Sequence, residues 1–205
     1  MSSAQHWNEV YSAKPADKVG WYTPHLNTSL NWIQELSLEP HEAIIDVGGG
    51  ASTLVDDLLD GGHSNIIVLD LSKCAIQLTQ ERLGARFSSV TWMEGDVTEA
   101  KLPTQHYRLW HDRAVFHFLV QPKERRRYKD ALLKALRIDG FVIVGTFSPD
   151  APPQCSGLPV QRYTADTLSK CFGDKFELRR HQYESHTTPS GIKQSYVFCL
   201  YQRKA

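Results

Sequence analysis

The sequence predicts an α/β protein built on a doubly wound sheet of seven strands, mostly parallel, with a C-terminal antiparallel hairpin. Three observations predict it. Short β-branched runs alternate with longer segments whose apolar residues recur three and four apart, the first run ends in three consecutive glycines, and the last two runs have no helical pattern between them. Such alternation makes the strands parallel and places helices on both faces. Two successive strands joined only through Pro189-Ser190-Gly191 must instead pair antiparallel. A chain of 205 residues, 41% apolar and 22% charged, suits a single domain over 1–205.

In chain order, residues from about 1 to 35 precede the core and hold His6-Trp7-Asn8-Glu9-Val10-Tyr11 and Val19-Gly20-Trp21-Tyr22, two segments that carry two of the five tryptophans. These aromatics either cover the sheet or form a lid over a ligand. The first strand spans Ala43 to Val47 and a helix follows at Thr53 to Leu59. The second strand, Asn65 to Asp70, leads to a helix reaching Leu83, with Ser72 as its N-cap because the hydroxyl can accept from free backbone amides. Strands at Val90 to Glu94 and Tyr107 to His111 come next, then helices at Val115 to Leu119 and Pro122 to Leu136. Asp139-Gly140 is expected to stop the long helix and turn the chain into the fifth strand, Phe141 to Thr146. Pro149, Pro152, Pro153, Gly157 and Pro159 make residues 147–163 a long loop, the kind that often serves function. A helix at Ala165 to Cys171 and strands at Phe176 to Tyr183 and Ser195 to Tyr201 complete the pattern.

The formal net charge of zero removes the electrostatic case for a nucleic-acid or anionic-membrane partner. The one dense basic run, Lys123-Glu124-Arg125-Arg126-Arg127, reads as a solvated helix face, with a phosphate or acidic-protein contact as the lesser alternative. Cys74, Cys155, Cys171 and Cys199 lack C-x-x-C spacing, so no metal site or disulfide framework is expected, and reduced thiols in the cytoplasm fit better. The first six residues have no apolar signal core, and the longest apolar run, near Phe141 to Val144, is too short to cross a bilayer. A soluble, unprocessed monomer is expected.

The strongest local signal is Ile44-Ile45-Asp46-Val47-Gly48-Gly49-Gly50-Ala51-Ser52-Thr53, a strand that runs into a glycine turn and then a helix. Glycines there let a ligand approach the backbone at the carboxyl edge of the sheet; a turn made only for packing is the alternative. Asp70 closes the second strand, where a carboxylate can accept from both ribose hydroxyls of an adenosine-containing ligand. Two features separate this turn from the dinucleotide fingerprint. Thr53 replaces its third small residue, and Asp46 would repel a pyrophosphate while suiting a cationic ammonium or sulfonium.

The pattern D-x-G-x-G-x-S over Asp46 to Ser52 thus resembles motif I of the seven-strand, class I, S-adenosylmethionine-dependent methyltransferases, which have a Rossmann-like sheet. Asp70, the segment Gly95-Asp96-Val97 and the run Leu109 to Leu119 match further stations of that family in order, and the closing hairpin matches its last two strands. The resemblance implies S-adenosyl-L-methionine as cofactor and S-adenosyl-L-homocysteine as product. It implies cofactor contacts from Asp46, Gly48, Gly49, Gly50, Asp70, Leu71, Gly95, Asp96 at the adenine amino group, Val97, and His111 through its backbone. Tyr11, Trp21 and Tyr22 would face the methionine end from the lid, and Arg113 would pair with a carboxylate, the cofactor's or a protein one. Asp112 and His117, just past the fourth strand, are the catalytic candidates for orienting or deprotonating an acceptor, with a packing role for His117 as the alternative.

Trp7 to Tyr11, Trp21-Tyr22, Asp112-Arg113-Ala114 and Cys155-Ser156-Gly157-Leu158-Pro159 are similar to a methyltransferase type 12 branch that includes lysine methyltransferases of citrate synthase and elongation factor 1A. This implies protein lysine N-methylation, with a small-molecule N, O or thiol/metalloid acceptor as the alternative and residues 147–163 contacting the acceptor. A nicotinamide-dependent oxidoreductase and a non-catalytic cofactor-binding module are the remaining readings.

Overall fold

The computed structural model describes residues 3–205. A seven-stranded sheet runs in the order β3-β2-β1-β4-β5-β9-β8. Its strands are β1 Ile44–Val47, β2 Ile66–Asp70, β3 Val90–Glu94, β4 Tyr107–Arg113, β5 Leu136–Phe147, β8 Phe176–Thr187 and β9 Lys193–Arg203. The pairs from β3 to β5 are parallel, and β9 pairs antiparallel with both β5 and β8. Strand order reverses between β1 and β4, and open α/β sheets leave a crevice at such a point beyond the strands' carboxyl ends.

Each of Ile44, Ile45 and Val47 is buried, because the central strands are covered on both faces. One face packs on α5 Pro122–Ala135 and α6 Ala165–Phe172 through Tyr128, Leu132, Leu168 and Phe172. The other packs on α2 Asn27–Glu35 and α3 Leu54–Asp60 through Trp32, Ile33, Leu54 and Leu58. Helix α4 Lys73–Leu83 begins as expected, with Ser72 Oγ accepting from the Ala75 amide at 3.1 Å.

Four expectations need adjustment. Residues 115–119 form only a 3-10 turn, Phe116–Phe118, since Asp112 seizes the amides of Val115 and Phe116 and tightens the chain. Helix α5 ends at Ala135, before Asp139-Gly140, because Leu136 already pairs with Tyr107 and starts β5. Asp139 then lies in an irregularity of β5 with φ 61°, and its carbonyl accepts from Arg108 Nη1 at 2.7 Å. Residues 147–163 are built around a hairpin of β6 Gln154–Cys155 and β7 Leu158–Pro159, turned by Ser156 and Gly157, both with positive φ. The N-terminal segment contains α2 and another helix, α1 Ala4–Ala13; residues 1 and 2 of the expected lid lie outside the described residues.

Candidate active site

A crevice enclosing about 730 Å³, open mouth included, lies where β1, β2 and β4 end. A narrower arm of about 410 Å³ adjoins it, and Tyr11, Trp21, Gly48 and Arg113 line both. The floor is the glycine turn. Gly48 has φ +72°, and a Cβ there would come within 2.1 Å of Val115 Cγ2. A Cβ on Gly49 would sit 2.2 Å from Asp46 Oδ2, and one on Gly50 2.7 Å from the Asp70 carboxylate. Two acidic side chains are therefore folded against the turn, and only glycine leaves them room.

Asp70 lines the wide part of the crevice at the end of β2. Gly50 N–H donates to its Oδ2 at 2.9 Å and Ser72 N–H to its Oδ1 at 2.7 Å. Burial nevertheless pushes its pKa up to about 6, against those two amides, and the nearby Asp46 charge adds to the rise. Each oxygen retains a further lone pair for a ligand hydroxyl. Leu71, Gly95 and Val97 complete this side. Asp96 does not line it; its Oδ1 caps the following turn by accepting from Thr98 N–H at 2.7 Å.

In the narrow arm stand opposite charges. Asp46 is buried with Oδ1 2.7 Å from His111 Nδ1, while Oδ2 has no hydrogen-bond partner among the described residues. Arg113 Nη1 donates to the Trp21 carbonyl at 2.8 Å, and its guanidinium lies 4.8 Å from the centroid of Tyr196. Arg113 Nη2 is buried with no such partner among the described residues. Buried polar atoms are usually paired, and these two, opposite in charge, belong to side chains that both line the narrow arm.

The roof is aromatic. Trp7, Tyr11, Trp21 and Phe118 line the wide crevice and meet edge to face or tilted, with Trp7 to Trp21 at 5.6 Å and Trp7 to Phe118 at 5.2 Å. Trp21 Nε1 donates to Tyr11 Oη at 3.1 Å. Helix α1 is fastened to the Asp70 side of the crevice by Asn8, whose Oδ1 accepts from Ser72 Oγ at 2.7 Å and from the Cys74 amide at 3.2 Å. Cys155 of the small hairpin reaches the crevice too, and burial pushes its thiol up to about 12, so it is neutral.

The two residues expected to be catalytic sit elsewhere. Asp112 is fully buried and outside the crevice lining; Oδ1 accepts from Val115 and Phe116 amides and Oδ2 from Tyr128 Oη at 2.7 Å. Burial raises its pKa to about 6 in spite of those donors. His117 is also fully buried, accepts from the Phe147 amide at Nδ1, and has its pKa lowered to about 3 by burial and by the charge of Arg113. Asp112 anchors the backbone just past β4, and His117 ties that segment to the end of β5. His111, expected to act through its backbone, instead commits its ring to Asp46 and to Ser29 Oγ at 2.8 Å.

Of the expected cofactor residues, Tyr11, Trp21, Asp46, Gly48, Asp70, Leu71, Gly95, Val97, His111 and Arg113 line the two arms, whereas Gly49 and Gly50 act behind them by making room. Phe118 entered the sequence reading only within the run Leu109 to Leu119 and Cys155 only within the acceptor loop 147–163, since no motif marks an apolar wall. Ser29 carried no signal, because its partner lies 82 residues away.

Residues 44–140 match the family model described as a methyltransferase domain. A mouse eEF1A lysine and N-terminal methyltransferase is 24% identical over 124 residues, 60% of this chain; the chain spans 18% of that relative. A zebrafish EEF1A lysine methyltransferase 2 is 22% identical over 194 residues, covering 88% of this chain and 77% of the relative. Among solved structures, an Anabaena variabilis SAM-dependent methyltransferase superposes with a TM-score of 0.75 at 16% identity, covering 100% of this chain and 96% of that one. A Burkholderia thailandensis 1,6-didemethyltoxoflavin-N1-methyltransferase, solved with bound 1,6-didemethyltoxoflavin and S-adenosylhomocysteine, gives 0.69 at 16% identity, covering 98% of this chain and 84% of that one.

Proposed function

We propose that this chain, a class I S-adenosylmethionine-dependent methyltransferase, holds its cofactor across the Gly48 turn and delivers the methyl group to a lysine amine of a protein. The observation that carries the reading is the pair of half-satisfied opposite charges in the narrow arm, Asp46 Oδ2 and Arg113 Nη2. An amino-acid end bearing an ammonium and a carboxylate satisfies both. A pyrophosphate satisfies one and is repelled by the other.

Asp70 would hold the ribose hydroxyls, Gly95 and Val97 would flank the base, and Asp46 and Arg113 would take the ammonium and carboxylate. When bound, the cofactor supplies a methyl group made electrophilic by a sulfonium. The residues of the chain contribute placement and dryness. Trp7, Tyr11, Trp21 and Phe118 shut out water, and residues 1–35 serve as the lid. Positioning of this kind is worth about 7–11 kcal/mol of barrier. With Asp112 and His117 buried and engaged, neither offers a base to the crevice, so the acceptor amine must arrive unprotonated or lose its proton to solvent.

The eEF1A-directed relatives support a protein acceptor, with residues 147–163 contacting it and a cytoplasmic setting that suits four free cysteines. A small-molecule acceptor is the second reading, favoured by the apolar wall of Val115, Phe118 and Leu119. Thermal shift with S-adenosylhomocysteine and with NADH tests the cofactor; stabilisation by NADH alone would refute the reading. Incubation with a methyl-labelled donor and either purified elongation factor 1A or a protein-free metabolite extract then separates the acceptors by where the label appears.

A further inference from the structure

We infer that His111 is a positioning residue that aims Asp46 at the cofactor's ammonium, and that Ser29 of the lid segment fixes His111 from behind. The inference rests on the proposed placement of the amino-acid end in the narrow arm.

Asp46 and His111 are direct cross-strand partners in the β1–β4 ladder, so their side chains leave the sheet side by side. The imidazole Nδ1 lies 2.7 Å from Asp46 Oδ1, and Nε2 lies 2.8 Å from Ser29 Oγ. Asp46 and His111 are each 1% exposed and Ser29 is 0% exposed. A carboxylate has a broad, soft terminal torsion. A single hydrogen bond from a ring that is itself tied at its far edge removes that freedom, and in this side chain, which lines the arm, Oδ2 is held against Gly49 with no partner among the described residues.

The same three side-chain types form a nucleophilic triad in hydrolases, where the serine meets the substrate. Here Ser29 lines neither arm, so it is the rear support of a relay whose working end is Asp46. Because Ser29 belongs to α2, seating of the N-terminal segment is felt at the amino-acid subsite.

Calorimetry with two ligands tests this: S-adenosylhomocysteine, and 5′-methylthioadenosine, which keeps the nucleoside and lacks the amino-acid end. His111→Leu should weaken S-adenosylhomocysteine about tenfold, the scale of one charge-assisted hydrogen bond, and leave methylthioadenosine within about twofold. His111→Asn, whose amide nitrogen can replace Nδ1, should retain most of the preference, and Ser29→Ala should lose about threefold on the first ligand alone. If His111→Leu does not fold, the Asn and Ser29→Ala proteins decide. Equal weakening of both ligands, or no selective loss in any His111 or Ser29 variant while Asp46→Asn shows one, would overturn the relay and leave the cofactor site standing. A wild-type protein that binds neither nucleoside would overturn the cofactor site and the relay with it.

Discussion

Gly48→Ala isolates the turn on which the crevice is built. Residue 48 has φ +72°, and for an L-residue the left-handed region costs about 1–2 kcal/mol. The added methyl would lie 2.1 Å from Val115 Cγ2, an overlap that something must relieve, and such overpacking costs about 1–3 kcal/mol. Together they make roughly 2–5 kcal/mol, or a fall in Tm of roughly 4–20 °C for a chain of this size. Val115→Ala in the same molecule removes the overlap and not the backbone strain, so the double variant should regain about 1–3 kcal/mol relative to additivity. Thermal and urea unfolding followed by circular dichroism measure both terms. A Gly48→Ala protein melting within 2 °C of its parent, roughly the shift that half a kcal/mol or more produces, would refute the backbone argument. Losses that simply add in the double variant, with no regain over the sum of the two single changes, would refute the steric one.

Asp70, with its pKa near 6, should make binding pH-dependent: as the pH falls below 6 the carboxyl gains a proton and ceases to accept from ribose. S-adenosylhomocysteine affinity should therefore drop about tenfold between pH 7 and pH 5, and Asp70→Asn should bind weakly with a flat profile. A sloping profile in Asp70→Asn would assign the titration to another group. His117 has a folded pKa near 3 against an unfolded value of about 6.5, so its stabilising contribution is whole above 6.5 and is lost as the pH falls toward 3. His117→Phe should be less stable at pH 7, where the Phe147 amide loses its acceptor, yet lose up to about 1.4 kcal/mol less per pH unit in that window. Parallel urea-derived stability curves for the two proteins would contradict this. Tyr128→Phe strands Asp112 Oδ2 and Trp110 Nε1, each worth about 1–3 kcal/mol, and should lower Tm by several degrees while transfer at low temperature persists; unchanged stability would remove Asp112 from its anchoring role.

The parallel sheet was legible because Ile44 to Val47 and Ile66 to Asp70 are apolar runs with sharp ends, and the closing hairpin because no helical period separates its strands. Asp46, Asp70 and the glycines were legible for the same reason: local spacing reports what a turn must do. Helices α1 and α2 were not, since their apolar residues are few and gain stability only by docking. The polar run Glu184 to Thr187 hid the end of β8, an edge strand that continues past Tyr183 to Thr187. Asp112 and His117 invited a catalytic reading from their place after β4. Their burial and their ties to Tyr128 and Phe147 come from segments whose proximity no local pattern encodes.

Asn8 caps α4 through Ser72, and Ser72 also offers its amide to Asp70. The aromatic roof and the Asp70 side of the crevice thus share one hinge pin. Lifting α1 strips the first turn of α4 of a bond worth about 1 kcal/mol, as well as exposing the rings of Trp7 and Tyr11 to water. Opening the crevice from this side therefore carries the cost of both that bond and that burial.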